Sequence, residues 1–143
     1  MPSGEVFSSP IENSMTGNIH FSYPSRQYEK VVKGVTLSFK NGKVSDYRAD
    51  KGKEVLDQVF KQSNSRIVGE IAIGTNYNIQ EISYNTLLDE KIGGSMHLAL
   101  GNSYPETGGK NVSPIHWDLI SCMQKGEILA DNICIYKNGQ FLI

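Results

Sequence analysis

The chain has 143 residues, enough for one domain with one buried core, and its 38% hydrophobic and 20% charged content is ordinary for a globular protein. A formal net charge of -1, with no basic run, argues against a nucleic-acid surface, because phosphate binding leaves a basic excess. No apolar run approaches the roughly 20 residues needed to span a bilayer, and Met1-Pro2-Ser3-Gly4-Glu5 lacks the pattern of a secretion signal.

In chain order, Ile19 and Phe21 flank His20 in a short alternating strand. Val35, Leu37 and Phe39 alternate with polar residues, and Asn41-Gly42 then separates this run from a second one at 43–47. An Asn-Gly pair between two such runs predicts a tight hairpin, since both turn positions need positive φ. Val55, Leu56, Val59 and Phe60 form one apolar stripe with helical period, which predicts the main helix at about 51–62 with Asp50 as its N-cap. A shorter helical turn is predicted over 83–90. Three short apolar runs, at 70–74, 96–101 and 115–120, the first two with glycine at their ends, read as strands. The chain closes on a terminal hairpin, 132–136 and 140–143, around Asn138-Gly139.

These elements predict an α+β fold, a single sheet-rich domain over 1–143 with mixed or antiparallel strands. Cys122 and Cys134 are too isolated to read as a disulfide framework. Cys134, between Ile133 and Ile135, is expected as a buried reduced thiol, which places the chain in a reducing cytoplasm.

The chemistry gathers at strand ends. His116 and Asp118 lie two apart in a strand and so share a face, an arrangement that suits a borderline metal such as zinc. A surface hydrogen-bonded pair would show the same spacing. His97 sits among apolar residues, as a metal ligand or as a core histidine bonded to a carbonyl. Glu70 opens an apolar strand, Glu5 repeats that pattern in Gly4-Glu5-Val6-Phe7, and Glu90 precedes the His97 strand. Carboxylates are seldom buried without a partner. Together these residue types have the composition of a two-metal hydrolytic site. Tyr104 follows the His97 strand in a glycine-rich loop, where functional residues concentrate. His20 has no acidic neighbour and reads as a surface residue. Trp117 faces away from His116 and Asp118, into the core.

Several blocks, in order, carry a resemblance: Gly4-Glu5-Val6-Phe7-Ser8-Ser9-Pro10-Ile11-Glu12-Asn13-Ser14, Gly69-Glu70, Tyr84-Asn85-Thr86-Leu87-Leu88-Asp89-Glu90, His97-Leu98-Ala99-Leu100-Gly101 with Tyr104-Pro105, and His116-Trp117-Asp118. Together they resemble the thermophilic-type metalloaminopeptidases, the aminopeptidase T and aminopeptidase S family, in its C-terminal catalytic portion. The resemblance implies that Glu5, Glu70, Glu90, His97, His116 and Asp118 bind two divalent metals, zinc or cobalt before manganese or magnesium. It implies Glu70 as the bridging carboxylate and Tyr104 as a residue of the catalytic site. It further implies hydrolysis of the N-terminal peptide bond of peptides by a homodimer whose N-terminal domain is absent here. Without turnover, the same residues would make a metal-binding domain used for assembly. Neither a nucleic acid nor a membrane is an expected partner.

Overall fold

A computed structural model describes residues 3–143. In chain order its elements are β1 (Glu5–Ser8), β2 (Gly17–Phe21), β3 (Ser25–Gln27), β4 (Lys30–Val32), β5 (Val35–Lys40) and β6 (Lys43–Arg48). There follow α1 (Lys53–Val59), β7 (Val68–Gly74), α2 (Thr86–Asp89), β8 (Ser95–Gly101) and a 3-10 turn at Pro105–Thr107. The last are β9 (His116–Cys122), β10 (Glu127–Ala130), β11 (Ile133–Lys137) and β12 (Gln140–Phe141). Every named strand pair is antiparallel, and with one main helix the fold is α+β.

Both Asn-Gly hairpins form. Asn41 (φ 49°) and Gly42 (φ 80°) turn β5 into β6, and Asn138 (φ 50°) with Gly139 (φ 82°) turns β11 into β12. The main helix is shorter than 51–62 and is not capped by Asp50. The backbone at Asp50 and Lys51 instead pairs with Lys33 in extended form, so helical dihedrals begin only after Gly52, whose φ is +81°. At the other end Phe60 leaves the helix to pack its ring against Tyr47, 4.6 Å between centroids. The second helical turn occupies only α2, with Asn85 as an N-cap whose side chain accepts from Leu87 N–H.

The framework of the site is the four-stranded sheet β1-β7-β8-β9. Alternation gives this sheet two unlike faces. One face presents Val68, Leu98, Leu100, Trp117 and Leu119 to a core shared with Phe21, Leu37, Phe39, Val44 and the α1 residues Val55, Leu56 and Val59. Trp117 is held there by its indole N–H, which donates to Ser25 Oγ at 2.9 Å. The opposite face carries Glu5, Glu70, Ala72, His97, Ala99, His116 and Asp118, as the register pairs them.

The C-terminal strands β10-β11-β12 form a separate small sheet. Cys134 is only half-buried within it and Cys122 is exposed, so the buried thiol expected from the apolar neighbours is not found. Ile133 is 66% exposed, because this sheet covers little beyond its own buried Tyr136. His20 lies at the surface, bonded through Nδ1 to Thr36 Oγ1 at 3.0 Å.

Candidate metal centre

An irregularity in β7 aims Glu70. Val68 pairs with Leu100, and a regular ladder would then send Glu70, two residues on, into the core. The register shifts between Val68 and Glu70, so that Glu70 pairs with Ala99 on the other face. A bulge of one extra residue is what re-aims a side chain in this way. The extra residue is Gly69, and a Cβ there would run into the carbonyl oxygen of Asn102. Small neighbours leave room for the acidic group: Ala72 and Ala99 lie beside it and are fully buried.

His97, from the centre of β8, is the hub. Its Nε2 lies 3.2 Å from Glu70 Oε1, 3.5 Å from Glu5 Oε2 and 3.9 Å from Asp118 Oδ1. His116 reaches the same carboxylates from β9, with Nε2 3.4 Å from Glu70 Oε2 and 3.6 Å from Asp118 Oδ1. On its far side His116 Nδ1 lies 2.9 Å from the carbonyl oxygen of Asn102. Donation to that carbonyl fixes the proton on Nδ1 in the neutral ring and leaves the Nε2 lone pair facing the carboxylates. Glu90 arrives from a different kind of element. It is the C-cap of α2, and the short helix ends by turning this carboxylate inward. The structure thus brings Glu5, Glu70, Glu90, His97, His116 and Asp118 to one place.

The electrostatics follow from this crowding. Burial would raise the Glu70 carboxyl, but hydrogen bonds from His116 and His97 outweigh it and hold Glu70 down to about 2. Burial would lower His116, yet Asp118 and Glu70 push it up to about 10, and His97 is raised by Glu70 in the same way. Glu90 moves upward, because burial and repulsion from Asp118 and Glu5 exceed what Lys91 returns. Lys91 itself is raised, as Glu90 and Glu5 overcome the effect of its burial.

Lys91 is the participant that the sequence did not announce. Only 8% exposed, it places Nζ 3.1 Å from Glu5 Oε1 and forms a second ion pair with Glu90 Oε1. A lysine beside two acidic residues has the same appearance in sequence as any solvated charge, and only the turn after α2 buries it.

The donor set fits divalent metal. Single ligand atoms of Glu5, Glu70 and His97 lie within 4.8 Å of one another, as do those of Glu90, His97 and Asp118. Glu5 Oε2 is buried with no hydrogen-bond partner among the described residues, a carboxylate oxygen aimed at the His97 ring. Mixed imidazole and carboxylate donors suit zinc and its neighbours in the first transition row. Beside the cluster opens a cleft of about 140 Å³ lined by Glu5, Phe7, Glu70, Leu87, Glu90, Tyr104, His116 and Asp118. Tyr104 stands at its rim, its ring 5.1 Å from His116 and 5.8 Å from Phe7. Burial and the nearby Glu70 and Asp118 charges raise its phenol above the ordinary value, which keeps the hydroxyl a donor.

Known proteins resemble this chain in sequence and in fold. Aminopeptidase 2 of Geobacillus stearothermophilus is 34% identical over 110 residues, which cover 73% of this chain and 26% of that protein. The solved structure of wild-type AmpT from Thermus thermophilus aligns with a TM-score of 0.86 at 24% identity, covering 97% of this chain and 39% of that one. A 2,5-dihydroxypyridine dioxygenase from Pseudomonas putida KT2440 shares the fold at a TM-score of 0.69 and 19% identity, covering 99% of this chain and 44% of its own. Fold alone therefore does not choose the reaction. The chain spans between 26% and 40% of the length of the aminopeptidases it matches. The family model described as thermophilic metalloprotease (M29) matches residues 1–141, and on that match this chain belongs to the thermophilic metalloprotease (M29) family.

Proposed function

We propose that the chain carries the two-metal centre of a metalloaminopeptidase, which hydrolyses the N-terminal peptide bond of a peptide. The observation that carries this reading is the convergence of four carboxylates and two imidazoles from four strands and a helix end, with His97 buried behind the cleft that the other five line. In this reading Glu5, Glu70, Glu90, His97, His116 and Asp118 hold two divalent ions, with zinc or cobalt ahead of manganese or magnesium. When bound, the ions supply a water of lowered pKa and polarise the scissile carbonyl.

The chain's own residues do the rest. Glu70 stays ionised to about pH 2 and its two oxygens face different histidines, which suits a bridging carboxylate. The proton acceptor is Glu70 or Glu90. Burial pushes Glu90 above the ordinary carboxylate value, and Glu90 lines the same cleft as Glu70. Tyr104 donates its hydroxyl to the developing oxyanion, a contribution of the kind that costs roughly 100-fold or more in rate when removed. Phe7 and Leu87 give the cleft an apolar lip for the first side chain of the substrate. A cytoplasmic homodimer completes the reading.

The competing reading is a metal-binding domain without turnover, used for assembly. It draws on the same fold serving a dioxygenase, which leaves peptide hydrolysis unfixed by the fold. One experiment separates the two: metal content of the purified chain, with hydrolysis of an amino-acid anilide followed with and without zinc or cobalt. The enzyme reading expects bound metal and turnover that His116→Ala reduces by at least 100-fold. Metal bound with no turnover supports the domain used for assembly, and no divalent ion bound at micromolar concentration overturns both.

A further inference from the structure

We propose that the peptide substrate adds to the four-stranded sheet as a fifth strand along the free edge of β1. Its first residue then lies over the metal centre, and the side chain of its second residue enters an apolar groove on the opposite face. This rests on the aminopeptidase reading and adds to it where the peptide lies and which second residue it prefers.

The edge is open and its phase is fixed. β1 is the outermost strand of its sheet, paired only with β7. Thr75 N–H donates to the Gly4 carbonyl at 2.7 Å, so Gly4, Val6 and Ser8 turn their main-chain groups toward β7. Glu5 and Phe7 turn theirs outward, where no hydrogen bond meets them among the described residues. An unpaired edge of this kind recruits an extended peptide through main-chain hydrogen bonds. Glu5 ties the edge to the chemistry, because the carboxylate of the same residue belongs to the metal cluster. A strand added here runs about 4.8 Å from β1, directly beside that cluster.

The other face of the same edge is apolar and uncovered. Val6 pairs with Ile73, and Ile73 with Met96, all on the face that carries the core farther along the sheet. The core stops short of this corner, leaving Val6 61% exposed. A groove of about 490 Å³ results, with Val6, Ile71, Ile73 and Met96 on one side and Met123 and Leu129 on the other. That volume lies within the range of sites that hold small apolar ligands. Phe7 lines both this groove and the metal cleft, so the two meet at the β1 edge.

Strand alternation sets the consequence. An aminopeptidase cleaves after the first residue, which places that residue's side chain on the metal face, between Phe7 and Leu87. The second side chain then points to the opposite face, into the groove. Glu127 is the one charged residue of the lining, so an acidic second residue is repelled while leucine is favoured.

The test measures binding of C-terminally labelled peptides by fluorescence anisotropy to the zinc-loaded chain. Their first peptide bond is reduced to methylene-amine, so that no turnover intervenes. Leucine at position two is expected to bind at least tenfold more tightly than glycine, with aspartate weaker still. Leu129→Asp should erase the leucine advantage and leave zinc uptake unchanged, and Val6→Asp serves the same purpose if Leu129→Asp does not fold. Methylating the amide nitrogens of residues three and four in turn should cost at least tenfold at one and little at the other, the signature of a strand edge. A chain that binds zinc yet takes leucine and glycine equally overturns the proposal alone, as does equal loss at both methylated positions. So does a chain that sediments as a dimer, disperses in Leu129→Asp and binds no peptide, since a second copy then fills the groove. Leucine preference in a chain that takes up no zinc keeps the groove and overturns the metal reading, and neither zinc nor preference overturns both.

Discussion

Side chains in this centre answer one electrostatic demand. Carboxylates gathered under a sheet face are costly unless positive charge accompanies them. In the metal-free chain that charge comes from Lys91, His97 and His116, which lie against Glu5, Glu70, Glu90 and Asp118. The balance has a pH signature. His116 is held up to about 10 in the folded chain, from an ordinary value of 6.5, so it binds more protons folded than unfolded across that interval. Its stabilising effect is complete below pH 6.5 and is lost as pH rises toward 10. Glu70, lowered from 4.5 to about 2, acts in the opposite sense: its effect is present above pH 4.5 and is lost as pH falls toward 2. In the presence of a chelator, the urea midpoint is expected to fall on both sides of a maximum between these limits. Saturating zinc, which displaces the imidazole protons, should remove most of the alkaline fall. A metal-free midpoint that holds level from pH 6.5 to 10 would contradict this balance.

At this scale the sequence was partly legible. His116 and Asp118 share a face because strand alternation leaves no other choice, and Trp117 goes to the core for the same reason. Lys91 was not legible. Nothing in its spacing distinguishes a buried ammonium from a solvated one, since its burial comes from how the segment after α2 folds over the sheet. Cys134 misled, because apolar neighbours imply burial only where another layer covers them, and Ile133 beside it is mostly exposed.

Among the elements, β7 and α2 decide whether the centre exists. The bulge at Gly69 moves Glu70 from the core face to the metal face, and without it the sheet would bury a carboxylate among Leu98, Leu100 and Trp117. Gly69→Ala pushes a methyl group into the Asn102 carbonyl, and that carbonyl also holds His116. Strain from an added methyl in a close-packed site costs roughly 1–3 kcal/mol, so the urea midpoint should fall. Zinc affinity should fall at least tenfold as well, because both Glu70 and His116 are displaced. Wild-type zinc affinity in this variant would show that the bulge does not position the site. The Asn-Gly turns were legible because they need positive φ at both central positions, and few residue pairs supply it. The bulge was not, as an apolar run with one glycine reads equally well as a regular strand. The short strands β3, β4 and β10 escaped too, since their residues show no clear alternation and form only through pairing with neighbours.

For the molecule as a whole, one sheet serves two purposes. Its apolar face anchors the core through residues such as Leu98, 2% exposed, and its polar face holds the acidic cluster. Leu98→Ala should cost roughly 2–5 kcal/mol of stability, as buried leucine truncations do. Below its lowered midpoint this variant should still bind zinc with near wild-type affinity, because its side chain points away from the cluster. The α+β class and the ordered motif blocks were visible in the sequence, whereas the meeting of Glu5 and Glu90 with the histidines depended on long-range pairing. A shared fold by itself leaves the reaction open, as the dioxygenase with the same architecture shows. The centre itself is most directly tested by the zinc stoichiometry of the purified chain. Two ions per chain are expected at saturation, with at most one in His116→Ala. A chain that takes up no zinc at micromolar concentration, or whose uptake is unchanged by His116→Ala, would contradict the metal centre described above.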